Sequence, residues 1–280
     1  LGDVYKRQVL IVLALLSVFL PVNDLNIAGM TMSVYNLISQ YILIIGSIVA
    51  LVFLAVAGNE KRAAAGLTRQ NWKSAVFIVL LFVGIYIVRT VVSMAGQGVS
   101  DGSGMQYVKE WAAMFKNPMM WLNIAALPIN YFFVFIAFFG EEYGWRYYLQ
   151  PVLQKRFGLR AGVIILGVVW GLWHIPDDLF YYTQTSGIQM IFAQQITCIS
   201  LGIFFAYAYM KTQNIWVPVC LHYLNNNLIP IISGTFSADV LENQTVSWKD
   251  LPVALVLNGL CFGFFLLADV FKKKEVQEEE

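Results

Sequence analysis

Long apolar stretches alternate with short polar ones along most of the chain. They predict helices at about residues 9–22, 35–57, 75–95, 119–150, 161–182, 188–210, 215–233 and 251–271. A helix that crosses a bilayer needs about 20 apolar residues, and most of these segments reach that length. We therefore predict an all-α fold, a polytopic transmembrane helix bundle with about eight spanning helices.

The composition supports an integral, multi-pass membrane protein. Hydrophobic residues make up 59% of the chain and charged residues 12%, with a mean hydropathy of +0.65. Ordinary soluble domains are about a quarter charged, and one core of this size would not bury so much apolar surface. The net charge is +1 and no basic stripe is interleaved with aromatic residues, so a nucleic-acid partner is not expected. We therefore expect the helices of the protein to be surrounded by a lipid bilayer.

The distribution of Lys and Arg predicts the orientation. With the N-terminus inside, thirteen of the 18 basic residues fall on the inner side: Lys6, Arg7, Lys61, Arg62, Arg69, Lys73, Lys155, Arg156, Arg160, Lys211, Lys272, Lys273 and Lys274. Three fall on the outer side: Lys109, Lys116 and Lys249. Basic residues are enriched in cytoplasmic loops, so both termini are predicted to be cytoplasmic, N-in and C-in.

Several ionisable residues lie inside the apolar segments. The two histidines of the chain, His174 and His222, do so, and a third segment carries Glu141, Glu142 and Arg146. An ionisable group at membrane depth costs about 2.5–3.5 kcal/mol on insertion scales. Such groups are therefore interpreted as functional.

Four polar residues fall at a similar depth. The nearest basic residue of the inner side is 14 residues from Glu141 and from His174, 11 from His222 and 15 from Asn226. At about 1.5 Å per residue, these separations are about 21, 21, 17 and 23 Å. The four side chains come from three helices, so we expect them to share one buried layer.

Helical spacing pairs some of these residues. Glu142 and Arg146 are four positions apart and can form an ion pair on one helix face, which leaves Glu141 free to point elsewhere. His222 and Asn226 have the same spacing and present an imidazole and an amide on one side of their helix.

This set of side chains suits general acid–base activation of water. An Asn amide or an imidazole N–H can donate to the oxyanion that forms when water attacks an amide carbonyl. The alternative is a divalent metal such as zinc, with Glu141, His174 and His222 as its ligands. The spacing does not match the HExxH pattern of helical zinc proteases, so no cofactor is expected.

Other residues in the apolar segments are interpreted as structural. Gly140 and Gly144 are predicted to allow close helix packing, and Arg89 to extend towards the outer interface. Asn225 and Asn227 are interpreted as hydrogen-bonded neighbours of the site. The cysteines lack CxxC spacing and are interpreted as small core residues: Cys198, Cys220 and Cys261.

At these residues the chain resembles the CPBP family of intramembrane endopeptidases. The family includes type II CAAX prenyl proteases and Abi-like bacterial proteins of bacteriocin processing and immunity. Its motifs are EExxxR, FxxxH and HxxxN/D. Glu141 to Arg146 matches the first, and His222 to Asn226 matches the last. His174 matches the second, with Trp170 in place of the usual phenylalanine.

The resemblance implies a glutamate-dependent, metal-free CAAX-type endopeptidase that cuts a peptide bond in or near the membrane. Glu141 would activate water with the assistance of His174, and His222 and Asn226 would stabilise the oxyanion. Glu142 and Arg146 would support the site by holding it in place. The partner implied is a membrane-associated peptide or protein substrate, and the location is the bacterial plasma membrane.

The resemblance also suggests an organisation of the chain. Residues 9–118 are N-terminal transmembrane helices, 119–233 the catalytic core, and 234–280 the last helix with a basic and acidic cytoplasmic tail. Residues 1–8 are interpreted as a truncated or artefactual start.

Two other functions remain open. One is a non-catalytic bacteriocin-immunity or scaffold membrane protein, against which the intact motifs argue. The other is a proton-coupled transporter, because intramembrane Glu and His also build proton relays. We find no inverted repeat and no paired interrupted helices, which are typical of transporters.

Overall fold

A computed structural model describes residues 24–27, 30–97, 102–234 and 243–272. Its elements are β1 Asp24–Ile27, β2 Met30–Ser33, α1 Val34–Val56, α2 Asn59–Ala64, α3 Trp72–Gln97, α4 Gly104–Met114, α5 Pro118–Glu142, α6 Gln150–Phe157, α7 Leu159–Trp173, α8 Ile175–Phe180, α9 Gly187–Thr212, α10 Trp216–Ser233 and α11 Asp250–Cys261. A π-helix, Tyr143–Leu149, joins α5 to α6, and two 3₁₀ turns follow α11: Gly263–Leu267 and Asp269–Phe271. The all-α prediction is confirmed, apart from one short strand pair.

The membrane-spanning character is supported by length and composition. In the described part of the chain, three helical stretches are long and apolar enough to cross a bilayer: Trp72–Gly96, Pro118–Phe157 and Gly187–Thr212. Shorter apolar helices accompany them: Ile44–Val56, Leu159–Trp173 and Asp250–Cys261. The total of about eight spans and the N-in, C-in orientation stay predictions. The predicted helix at 9–22 and the segment 1–8 lie outside the described residues.

Several predicted boundaries differ from the structure. The predicted helix 161–182 is two helices, because α7 ends at Trp173 and α8 begins at Ile175 with Pro176 in its first turn. Proline fixes the backbone and removes a donor, which suits the first turn of a new helix. The predicted helix 251–271 is α-helical only as far as Cys261. Helix α4 lies between the predicted helices 75–95 and 119–150, where no helix was predicted.

The chain divides into two compact units. The first holds the described residues up to Val56 together with residues 132–136 of α5. Within it, β1 and β2 pair antiparallel, with Asp24 opposite Ser33. Ser47 is buried, and the Ile136 backbone N–H donates to its hydroxyl over 3.4 Å. This unit contains none of the candidate site residues.

The second unit holds the other described residues and has its own apolar core. Five of its large side chains are 0% exposed: Phe82, Phe204, Phe205, Leu221 and Phe262. They come from α3, α9, α10 and the residue after α11, so four parts of the chain meet at this core. The candidate site lies beside it, because Trp170 and Phe205 belong to both.

Glycines allow α7 and α9 to approach closely. A Cβ at Gly167 would lie 2.6 Å from the Ile199 Cα, and one at Gly202 would lie 3.5 Å from the Gly167 Cα. Small residues at a helix crossing let backbones come together in a membrane. The close packing expected at Gly144 is not found, because a Cβ there would meet nothing within 4 Å.

Gly167→Ala should therefore destabilise the protein by about 1–3 kcal/mol, the range for overpacking a tight site. The added methyl group would meet backbone, which cannot move as a flexible side chain can. Thermal unfolding of the purified protein in detergent measures the effect. Gly144→Ala is the matched control and should unfold at or above the wild-type temperature. Equal unfolding temperatures for both variants would show that the α7–α9 crossing is not tight.

Candidate active site

A change of helix type marks the first motif. Helix α5 ends at Glu142, and the π-helix that follows carries Arg146. Both glutamates thus lie at the junction of an α-helix and a π-helix. Short π-helical insertions are frequent at functional sites, because they change the direction in which side chains point.

The Glu142 carboxylate joins two basic side chains. Its Oε1 lies 2.9 Å from His222 Nδ1, and its Oε2 lies 3.1 Å from Arg146 Nε. All three residues are buried. The Glu142–Arg146 pair is the one that the spacing predicts, whereas the contact with His222 was not predicted. Since a carboxylate accepts, Nδ1 of His222 carries the hydrogen and Nε2 remains for other partners.

Aromatic rings surround the Arg146 guanidinium. Its Cζ lies 5.1 Å from the centre of the Trp170 ring and 5.5 Å from that of Phe205. Such cation–π contacts are strongest where water is excluded. Trp170, which replaces the phenylalanine usual in the second motif, therefore helps to hold the buried cation.

The His222 ring is held by the same aromatic group. Ring centres lie 5.2 Å away for Phe138, 5.5 Å for Trp170 and 6.1 Å for Phe205. Phe138 and Trp170 meet the imidazole edge to face. These contacts and the bond to Glu142 fix the orientation of the ring.

His174 lies at the break between α7 and α8. Its Nδ1 lies 2.8 Å from the Trp170 carbonyl oxygen, which can only accept, so Nδ1 carries the hydrogen. The neutral ring then has its lone pair on Nε2, the arrangement that a general base requires. The Trp170 ring also contacts His174 at 5.9 Å between centres, so it contacts both histidines.

The remaining two candidates are more accessible. Glu141 is half-buried, and its charge acts on both Arg146 and His222. Asn226 is exposed and lies one helical turn after His222, with its Oδ1 accepting from Asn225 Nδ2 at 2.9 Å. The structure thus brings Glu142, Arg146 and His222 into direct contact and places His174 beside them through Trp170. Glu141 lies within electrostatic range of this group.

The asparagines beside the site are hydrogen-bonded, as predicted. Asn227 Nδ2 donates to the Tyr223 carbonyl over 2.9 Å, and Asn130 Nδ2 donates to the Tyr223 hydroxyl over 3.2 Å. Asn225 accepts from the Tyr86 hydroxyl. These bonds join α3, α5 and α10 around the site.

Within the described residues, no group of three or more His, Cys, Asp or Glu side chains is arranged to hold a metal ion. The three ligands of the metal alternative therefore do not form such a group: Glu141, His174 and His222.

Sequence reasoning missed three neighbours of the site. Phe138 is four residues before Glu142, so its place on the same helix face was readable from the spacing. Phe205 carries no signal that separates it from other core residues. Cys198, expected to be only a core residue, is buried and lies with its Sγ 3.8 Å from His174 Nδ1.

Comparisons with known proteins concern this part of the chain. Residues 123–228 match the family model for type II CAAX prenyl endopeptidases, Rce1-like. The CAAX prenyl protease 2 of Methanococcus maripaludis is 27% identical over 125 residues, which are 41% of this chain and 45% of that protein. The match therefore spans less than half of the relative's length. No solved structure matches the chain. The resemblance to CAAX prenyl proteases is thus confirmed over residues 123–228, which are similar to the Rce1-like type II CAAX prenyl endopeptidases.

Proposed function

We propose that this protein is a CAAX-type intramembrane endopeptidase that hydrolyses a peptide bond in or near the bilayer. The observation that carries the proposal is the Glu142 carboxylate, which holds Arg146 and His222 beside Glu141 within a protease-family domain. A buried, aromatic-lined group of ionised side chains has the character of a prearranged catalytic site.

In the proposed reaction Glu141 takes a proton from a water molecule, and His174 Nε2 helps to orient that water. The water oxygen attacks the carbonyl carbon, and the C=O electron pair moves to the oxygen. The His222 Nε2–H and the Asn226 amide donate to this oxyanion. The C–N bond then breaks, and the leaving nitrogen receives the proton held by Glu141. The products are a carboxylic acid and an amine.

The charges of the proposed site balance. Glu141 and Glu142 are negative, Arg146 is positive, and His222 becomes positive when it carries both ring hydrogens. Glu142 is the counter-charge for both cations. Groups of opposite sign in contact reduce the penalty of burying charge, whereas one of them alone would be costly.

We propose a membrane-associated peptide or protein as the substrate. The relative in Methanococcus maripaludis is named a CAAX prenyl protease, which makes a peptide that ends in a CAAX sequence the first to test. A multi-pass location in the bacterial plasma membrane is part of the same proposal.

The test is incubation of the purified protein, in detergent, with quenched fluorescent peptides that end in CAAX, with and without a prenyl group. We expect cleavage at one bond, identified by mass spectrometry of both products. Prior dialysis against a chelator should leave the rate unchanged, and loss of activity with recovery on added zinc would indicate a metal mechanism instead. Absence of cleavage together with solute counterflow in proteoliposomes would favour the proton-coupled transporter. Absence of cleavage together with tight binding of a bacteriocin would favour the immunity protein.

A further inference from the structure

The hydroxyl of Tyr86 reaches the candidate site from α3. Tyr86 is 6% exposed, and its hydroxyl donates to Asn225 Oδ1. Asn225 is the immediate neighbour of Asn226, the proposed oxyanion donor. The bond joins residues 139 positions apart in sequence, so it depends on the packing of α3 against α10.

This bond determines how Asn225 faces its neighbour. An asparagine whose Oδ1 accepts from Tyr86 presents its Nδ2 on the other side, and Asn225 Nδ2 does donate to Asn226 Oδ1 over 2.9 Å. With its Oδ1 occupied, Asn226 has its Nδ2 hydrogens to offer to a substrate. The reverse arrangement would turn the Asn226 oxygen towards the oxyanion, where two acceptors would repel each other.

Tyr86 is itself held in place. Its ring contacts Phe82 at 4.9 Å and Phe262 at 5.1 Å, and the Arg89 Cζ lies 5.8 Å from the ring centre. Arg89 Nε donates to Asn258 Oδ1 over 3.1 Å. Arg89 is half-buried and its side chain has a partner on α11, whereas its extension towards the outer interface stays a prediction.

We propose that Tyr86 and Asn225 are positioning residues, which act through Asn226 by fixing the direction of its amide. The inference rests on the proposed function and adds two residues outside the three sequence motifs. A series of polar contacts then runs from Asn258 and Arg89, through Tyr86 and Asn225, to the atom that meets the substrate. An amide fixed before the reaction stabilises the transition state better than one that must reorient.

The first test is Tyr86→Phe, which keeps the ring and removes the hydroxyl. We expect kcat for peptide cleavage to fall about tenfold while KM changes little, because the donor is mispositioned in the transition state rather than lost. In the Asn226→Ala background, Tyr86→Phe should have no further effect, because the amide through which Tyr86 acts is gone. Tyr207→Phe is the matched control: its ring packs on Phe204 and Phe265, away from the site, and its kcat should stay at the wild-type value.

The second test is Asn225→Asp. The carboxylate can still accept from Tyr86, but it cannot donate to Asn226 Oδ1. The Asn226 amide should then turn over to donate to the carboxylate, which points its oxygen at the substrate. We expect kcat to fall about a hundredfold, as far as in Asn226→Ala, the usual scale for loss of one oxyanion donor.

The outcomes separate this inference from the proposed function. A wild type that cleaves peptide while Tyr86→Phe keeps full kcat would overturn the positioning role alone. An equal fall with Tyr86→Phe in the Asn226→Ala background would also overturn it, since that pattern indicates general damage. A wild type that cleaves none of the peptides would overturn both proposals.

Discussion

Glu142→Ala should lower the free energy of unfolding by about 3–5 kcal/mol, the range for removal of one partner from a buried ion pair. The variant would leave the Arg146 guanidinium buried and without its counter-charge, and it would also remove the acceptor of His222 Nδ1. The surrounding rings are apolar, so little in this part of the structure could replace the carboxylate. Thermal unfolding of the purified protein in detergent measures the loss.

A double variant tests whether the loss comes from uncompensated charge. Glu142→Met combined with Arg146→Met removes both charges and fills similar volume, so we expect most of the stability to return. Activity should stay low, because His222 would still lack its partner. Glu110→Ala is the control, since Glu110 is exposed and accepts a hydrogen bond from Gln106, four residues earlier. If Glu142→Ala and Glu110→Ala unfold at the same temperature, the buried pair does not contribute to folding as argued.

His174→Asn should lower kcat by about a hundredfold or more, the usual scale for loss of an acid–base group. Asparagine can place its Nδ2 where His174 has Nδ1, so the bond to the Trp170 carbonyl can persist. It offers nothing in the place of Nε2. The unfolding temperature should therefore stay near that of the wild type while catalysis is lost.

The asparagine variant separates two roles of His174. If the ring serves only to end α7 by its bond to Trp170, His174→Asn should retain activity. Retained activity would thus assign His174 to helix capping and remove it from the proposed mechanism. A fall in both kcat and unfolding temperature would call for His174→Gln, which tests the position of Nε2 without the cap.

The sequence predicted most of the helices because an apolar stretch of fixed length has few alternatives in a membrane. It also predicted the Glu142–Arg146 pair, because side chains four positions apart share a helix face. The π-helix at Tyr143–Leu149 was not predictable, since residues that form a π-turn lack a distinct composition. The division of α7 from α8 had one signal, Pro176, whose ring suits the start of a helix better than its middle.

Contacts between distant segments were the part that the sequence could not supply. His222 and Glu142 are 80 positions apart, and both were singled out, but only packing of α5 against α10 makes them partners. The number of residues between each side chain and the inner basic residues indicated similar depths, but it did not indicate which atoms are in contact. Tyr86 and Arg89 lay outside every motif, and their place beside the site follows from the packing of α3.

The proposal that Glu141 activates water is tested most directly by the rate at which Glu141→Gln cleaves its peptide in a single turnover. Glutamine has nearly the same size and can keep the helix junction intact, but it cannot take the proton from water. At equal concentrations of folded protein, we expect the rate constant to be at least about a hundredfold below that of the wild type, with an unchanged unfolding temperature. A Glu141→Gln protein that cleaves at the wild-type rate would contradict the account.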